Sequence, residues 1–528
     1  MRKILNLLLL LPILAISQSS DQNWVKTTTY KEPTTNAFAA PTPAQAVTQV
    51  SYFDGLGRAI QQVAHAQSNT GMDIVTHIEY DAFGRPAKEF LPYANQNASL
   101  NYNDSAGTDV FGFYNTDTYE NTPNPYSEKQ FEASPLNRVQ KQAAPGDAWS
   151  MGSGKEIKFD YQTNTSKDVK LFKVITTWNT TLGVYDTSLI DSRHFSENQL
   201  YKTITYDENS PGETSKTGRT EEYKDKEGKI ILKRTFNNSI EHETYYVYDQ
   251  FGNLTYVIPP LVTNVSTELD GLCYQYKYDA RNRLVEKKLP GKQWEYIVYD
   301  KLDRVVATGP AYNPWGGGDT NKGWLLTKYD VFNRPVNTGW YNGTATATSA
   351  DRKNMQAIID GNIILSESKT SSTLTIDAIV TKYTNKVLPT NFKLLTVSYY
   401  DNYDYPNAPT IPTQIEGQNT QSTNLKGMPT GTWVRVLDAV GSTSSELSHT
   451  VYDTKYRPIR SYTKNYLRGY TQVDSKLDWA GKTLFTVTSH KRADASELFT
   501  VIDRFEYSPQ DRLTKHVQQL TTPTLLPE

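Results

Sequence analysis

One six-residue phrase, repeated along the chain, limits what this sequence can fold into more than any other feature. It stands at Tyr248-Asp249-Gln250-Phe251-Gly252-Asn253, Tyr278-Asp279-Ala280-Arg281-Asn282-Arg283, Tyr299-Asp300-Lys301-Leu302-Asp303-Arg304 and Tyr329-Asp330-Val331-Phe332-Asn333-Arg334, with starts 30, 21 and 30 residues apart. Two copies precede it, Phe53-Asp54-Gly55-Leu56-Gly57-Arg58 and, 27 residues later, Tyr80-Asp81-Ala82-Phe83-Gly84-Arg85. Weaker ones begin at Ala133, Lys224, Tyr400, Tyr452, Leu477 and Tyr507. The intervals of 53 residues before Ala133 and 52 after Tyr400 are near two periods, so each is expected to hide a degenerate copy. A unit of this length cannot bury an apolar face alone; it does so against its neighbours in an array.

The fifth position says what the phrase does. It is Gly57, Gly84, Asn137, Gly228, Gly252, Asn282, Asp303, Asn333, Gly481 or Asp511, with Tyr456 the exception. Gly, Asn and Asp accept positive φ at low cost, so the phrase is a turn rather than a reactive motif. Asp54, Asp81, Asp249, Asp279, Asp300 and Asp330 at the second position can accept backbone N–H groups inside that turn, and Arg58, Arg85, Arg283, Arg304 and Arg334 at the sixth can pair with them. The frequently apolar fourth position (Leu56, Phe83, Leu136, Phe251, Leu302, Phe332) is expected to tuck an anchor inward.

The flanks read as strands. Lys229 to Phe236 and Ser239 to Tyr248 enclose a tight Asn237-Asn238 turn, and Tyr274, Tyr276 and Tyr278 alternate with polar residues, as do Trp294, Tyr296 and Val298. A lone hairpin is marginal in water, whereas side-by-side hairpins pair their edges. The expected fold is therefore all-β: an array of antiparallel β-hairpin repeats forming a curled or spiralling sheet.

Around this array the chain divides as follows. Arg2 and Lys3, an apolar run and Ala15-Ile16-Ser17 read as a signal peptide at 1–17, which implies a secreted or cell-surface protein. Residues 18–49, rich in Thr, Ala and Pro, read as a disordered tether. Residues 50–99 hold the first two copies, 100–130 a polar insertion, and 131–345 the main array. Residues 346–395 form an insertion with a short-helix candidate at Ala350–Asp360, and 396–528 carry degenerate copies and a tail. Ala311 to Lys322, with Trp315 and a glycine run, reads as an exposed loop.

The phrase Tyr-Asp-x-x-Gly/Asn-Arg in serial copies, from about Val50 to Leu513, resembles the RHS/YD-repeat family. The N-terminal pair, SYFDGLGRAIQQVAHAQS and DIVTHIEYDAFGRPAKEFLPYA, resembles the start of exported RHS-repeat proteins of Bacteroidetes-type bacteria. The resemblance implies hairpins wound into a hollow β-shell that encloses a C-terminal toxin or serves as an extracellular contact module, with carbohydrate binding also associated with the repeats. The core segment with its self-cleavage region and the effector found in toxin-bearing members are not recognisable before Glu528, so the resemblance brings no toxin activity to this chain.

Chemistry beyond shape is sparse. With 55 Lys+Arg against 57 Asp+Glu there is no basic field for nucleic acid or an anionic membrane, and the mature chain offers no transmembrane segment. The single cysteine, Cys273, rules out an intrachain disulfide and thiolate metal clusters. The seven histidines show no ligand spacing, and Glu241-His242-Glu243 falls in a strand where His242 points away from its neighbours. Gly481-Lys482-Thr483 lacks the earlier glycine of a phosphate loop. The expectation is a non-catalytic scaffold, without cofactor, catalytic residue or metal, whose partner is a C-terminal or separately encoded effector. The alternative is a surface protein holding glycans on aromatic strand faces or the Trp315 loop.

Overall fold

The computed structural model describes residues 21–210, 216–237, 239–316, 322–342, 348–439 and 441–521. The expected signal peptide, 1–17, lies outside them, as do Asn238 and most of the glycine run after Trp315. The described chain is nearly all antiparallel β, as the repeated turns require. It divides into two units, Met1–Phe159 with Tyr206–Gly212 and Tyr507–Leu513, and Asp160–Thr205 with Glu213–Glu506 and Thr514–Glu528.

The first unit holds a five-stranded sheet in the order Asn23–Tyr30, Ala46–Phe53, Ala59–Ala64, Ile74–His77, Tyr93–Ala94. Alternation decides which face is inside: Ala46, Thr48, Val50 and Tyr52 are buried and the residues between them are not. Two expectations fail here. The supposed tether contains a strand, Asn23–Tyr30, paired with Ala46–Phe53 over eight residues. Its Trp, Val and Thr residues favour pleated surface, and the prolines at 33, 41 and 43 fall in the connection rather than in either strand. The polar insertion contains helix α1 (Ala106–Tyr114), whose Ala106 and Val110 are buried with Val50, Tyr52, Val75, Phe90 and Tyr93. Gly107 lets it approach, since a Cβ there would lie 3.1 Å from His77 Nε2.

The second unit is a meander. From Arg219–Lys224 onward through Ile230–Asn237, Ile240–Tyr248, Leu254–Ile258, Tyr274–Tyr278, Leu284–Lys288, Trp294–Tyr299, Val305–Tyr312, Lys322–Tyr329 and Pro335–Tyr341, each strand pairs antiparallel with the next. Helix α2 (Val265–Leu272) fills one connection. The 346–395 insertion, whose residues 346 and 347 are outside the described set, holds helix α3 (Ser349–Asp360), started by a capping box between Thr348 and Asp351, and a two-stranded ribbon, Lys369–Ile376 with Ile379–Tyr383. It does not merely decorate the sheet. Met355 and Ile359 join the core of Val298, Trp324, Leu326 and Leu394, and fully buried Arg352 donates from Nε to Glu286 at 3.1 Å.

Neither long interval hides a further copy. After Tyr400 the hairpin of Lys393–Asp401 and Leu425–Arg435 is closed by an excursion through 402–424 instead of a tight turn. Before Asn137 the extra length is α1 and its flanks, and the copy itself begins at Phe131 rather than Ala133. Glu132 takes the second place, with two added residues in the turn; its longer side chain still reaches Arg138 at 2.7 Å, and that bond holds its carboxyl down at about 2.

Candidate functional site

Each phrase folds as one device. In the copy at Asp249, Gly252 N–H donates to Asp249 O at 3.0 Å, Asp249 N–H donates to Asn253 O, and the strand register slips by one residue between Val247 and Tyr248. This is a turn ending in a left-handed residue that forms a bulge. The fifth residue has φ of 77° at Gly57 and Gly84, 83° at Gly252, 58° at Asn282, 62° at Asp303 and Asn333, and 61° even at Tyr456. Asp Oδ1 accepts the N–H groups of the fourth and sixth residues, as Asp300 does from Leu302 at 2.9 Å and Arg304 at 3.0 Å. Oδ2 takes Arg Nε at 2.7–2.8 Å in the copies at Asp54, Asp81, Asp279, Asp300 and Asp330. These amides, with the arginine, hold the Asp54 and Asp81 carboxyls below the usual range.

The fourth position does not tuck inward. Leu56, Phe83, Leu136, Phe251, Leu302 and Phe332 are 45–81% exposed, because that turn position projects away from the sheet. Phe83 and Phe332 have their own Arg85 and Arg334 over them, each 5.0 Å from the ring centroid.

What sequence reasoning missed is the contact from one copy to the next. The sixth-position arginine lies over the next copy's tyrosine: Arg58 on Tyr80 at 4.4 Å, Arg283 on Tyr299 at 4.7 Å, Arg304 on Tyr329 at 4.8 Å and Arg334 on Tyr400 at 4.4 Å. It then reaches the next turn's fifth residue, Arg85 to Asn137 Oδ1 at 2.8 Å, Arg283 to Asp303 Oδ1 at 2.7 Å and Arg304 to Asn333 Oδ1 at 3.0 Å. Arg334 grips Asp401 with both Nη atoms at 2.8 and 2.7 Å. At two of the fifth-position glycines the preceding cation occupies the space a Cβ would fill: Arg58 Nη1 lies 2.8 Å from that point at Gly84, and Lys229 Nζ 2.9 Å at Gly252.

The tyrosines answer in the other direction. The hydroxyls of Tyr80, Tyr278, Tyr299, Tyr329 and Tyr400 donate to Ala59, Leu254, Leu284, Val305 and Pro335 carbonyls at 2.7–3.0 Å, in every case the residue just after the previous phrase. Asn at the fifth position is therefore both a left-handed turn residue and an acceptor. Tyr248 differs: Lys229 stands 5.7 Å from its ring in the arginine's place.

A second missed feature is a charged cluster on the inner face of the sheet. Arg234 Nη1 lies 2.8 Å from Glu221 and 3.0 Å from Asp168, and its Nη2 lies 2.7 Å from Glu243. Lys202 and Arg219 also pair with Glu221, and Glu241 lies 3.7 Å from Arg234 Nε, so three cations meet four anions. Tyr223 donates to Glu221 at 2.8 Å, and burial pushes its phenol upward. The alternation that buries Leu232 also points Arg234 inward, and this was the available signal. Glu243 is thereby tied to Arg234 instead of joining a site with His242. Among the described residues no group of three or more His, Cys, Asp or Glu could hold a metal ion. Burial pushes the Cys273 thiol up to about 11. Trp315 is half-buried beside Arg435 rather than displayed. No helix among the described residues is long and apolar enough to cross a membrane.

Residues 26–163 match a domain of unknown function (DUF6443). No curated protein matches the chain. Among solved structures, a crystal structure of TcdB2-TccC3 is similar at 16% identity and a TM-score of 0.37, over 90% of this chain and 21% of that one. A Photorhabdus luminescens Tc holotoxin pore structure is similar at 15% identity and a TM-score of 0.36, over 90% of this chain and 22% of that one. The chain thus spans about a fifth of the length of these structures.

Proposed function

We propose that this chain is a non-catalytic scaffold module of an exported RHS/YD-repeat protein, a shell or display element of a polymorphic-toxin-like system. The observation that carries the reading is the contact between successive copies. Asp of the phrase closes its own turn, and Tyr and Arg are engaged with the neighbouring copy, so the phrase shapes turns and holds repeats together. Tyr80, Tyr299, Tyr329 and Tyr400, each with a cation on one face and a bonded hydroxyl, are poorly placed as open platforms for sugars.

The partner in this reading is an effector, encoded downstream or separately, and the chain acts outside the cell. The test is an unfolded reporter polypeptide fused after Glu528 and challenged with protease. A shell element slows reporter digestion in the intact protein, and that protection disappears when Arg304 and Arg334 are both changed to Ala. Digestion at the rate of the free reporter would remove the shell reading. Cell fractionation tests export: retention of the intact 1–17 segment in the cytoplasm counts against it.

A further inference from the structure

On the face formed by strands Leu425–Arg435, Ser445–Asp453, Pro458–Lys464 and Arg468–Leu477, the register lines up side chains into rows. Trp433, Leu447, Lys464 and Tyr470 are successive partners in one row, and His449, Tyr462 and Gln472 in the next. The rings stack across strands, His449 on Tyr462 at 4.6 Å and Tyr462 on Tyr470 at 5.5 Å, both with interplanar angles of 20°. Tyr462, on the middle strand, is thus stacked on both sides and presents its edges, which carry the positive end of the aromatic quadrupole.

These edges border a cleft of about 550 Å³, within the range of small-molecule sites. Its lining includes Arg460, Lys464 and Arg468 and no carboxylate at all. Arg460 is offset by Asp474, which it grips at 2.5 and 2.6 Å; Gln472 also donates to that carboxylate at 2.9 Å. Lys464 and Arg468 leave the cleft with a net positive wall. His449, 8% exposed, stands in the wall; its Nδ1 is shut off from solvent, so the ring meets the cleft by its edge alone.

We propose that this cleft binds a small organic oxyanion, a carboxylate, sulfate or phosphate ester of up to about disaccharide size, held by Lys464 and Arg468 against the ring edges of Tyr462 and His449. Neutral amide and hydroxyl groups on the wall supply the remaining polar contacts, and the arrangement excludes cations by charge. The site goes beyond the scaffold reading and does not depend on it, since it rests on strands outside the copies at Tyr248 to Arg334.

The test is calorimetric titration of the full chain with glucuronate, glucosamine 6-sulfate, inorganic sulfate, inorganic phosphate and uncharged glucosamine's N-acetyl form, at low and high salt. Saturable binding by at least one anion is expected, weakened several-fold by salt, with the uncharged sugar silent; which anions bind separates carboxylate, sulfate and phosphate sources. Lys464→Gln with Arg468→Asn is expected to lower affinity at least tenfold; Asn suits Arg468 because its φ is 67°. The His449 ring resonances are expected to shift on binding to the native protein. No saturable binding, equal binding of the uncharged sugar, or the same loss in the remote control Lys292→Gln would each overturn the proposal. Matching circular dichroism of all variants keeps a folding defect from being read as lost binding.

Discussion

Arg304 gives the sharpest test of the contact between copies. Its side chain is 9% exposed and that of its partner Asp300 4%. It bonds Asp300 through Nε and Nη2, Asn333 Oδ1 at 3.0 Å and Leu365 O at 2.6 Å, and lies over Tyr329. Removing one member of a buried pair costs about 3–5 kcal/mol, mostly from the stranded partner. Losing the ring contact adds roughly 0.5–1 kcal/mol. Some relaxation of Asp300 toward water lowers the sum, so Arg304→Ala is expected to destabilise by about 4 kcal/mol. Arg304→Lys keeps one charge contact but not the fork, so it leaves Asn333 or Leu365 without a donor and costs about 2 kcal/mol. Leu302→Ala, two residues away at a 54% exposed position, should stay within about 0.5 kcal/mol. Urea denaturation followed by tryptophan fluorescence, with Trp324 on the neighbouring strand, reads all three. Equal midpoints for Arg304→Ala and Leu302→Ala would refute the reasoning.

Other expectations follow from single positions. Gly252→Val should cost about 1–2 kcal/mol for its left-handed φ and also displace Lys229, whereas Tyr456→Gly should be neutral or slightly stabilising; the same titration compares them. Burial, then the Arg460 charge, pushes His449 down to about 4. The unfolded chain takes up that proton near pH 6.5, so this contribution is complete above that pH and fades as pH falls toward 4, by on the order of 3 kcal/mol. His449→Gln should remove that slope from a plot of midpoint against pH. The Cys273 thiol, fully buried and pushed up to about 11, should react with a disulfide reagent only as fast as the chain opens; rapid labelling of the native protein would contradict its placement.

The turn and the all-β architecture were legible because both are local. Gly, Asn and Asp at one position register backbone conformation directly, and alternation registers a sheet face. What was not legible depends on neighbours in space. Nothing near Arg304 announces Tyr329 or Asn333, which lie 25 and 29 residues on and are brought close by strand register. The apolar fourth position was misread because composition does not reveal the direction of a turn residue. The strand at Asn23–Tyr30 was obscured by the prolines beyond it, and α1 by Gly107 and Gly112, which weaken helix propensity while one of them allows close packing. Phe131 escaped notice because its copy has two extra residues and Glu for Asp.

The arginine-to-tyrosine contact is made across 16 residues from Arg283 to Tyr299, 25 from Arg304 to Tyr329 and 66 from Arg334 to Tyr400. The coupling is thus a standard joint, indifferent to what the chain does between its halves. Gene segments running from one phrase to the next could be duplicated, deleted or exchanged in frame, and every arginine would still find a tyrosine and an acceptor waiting. Length becomes a freely variable quantity for such a protein, and the connections become places where new segments, such as α3 and its ribbon, are taken up without disturbing the frame that carries them.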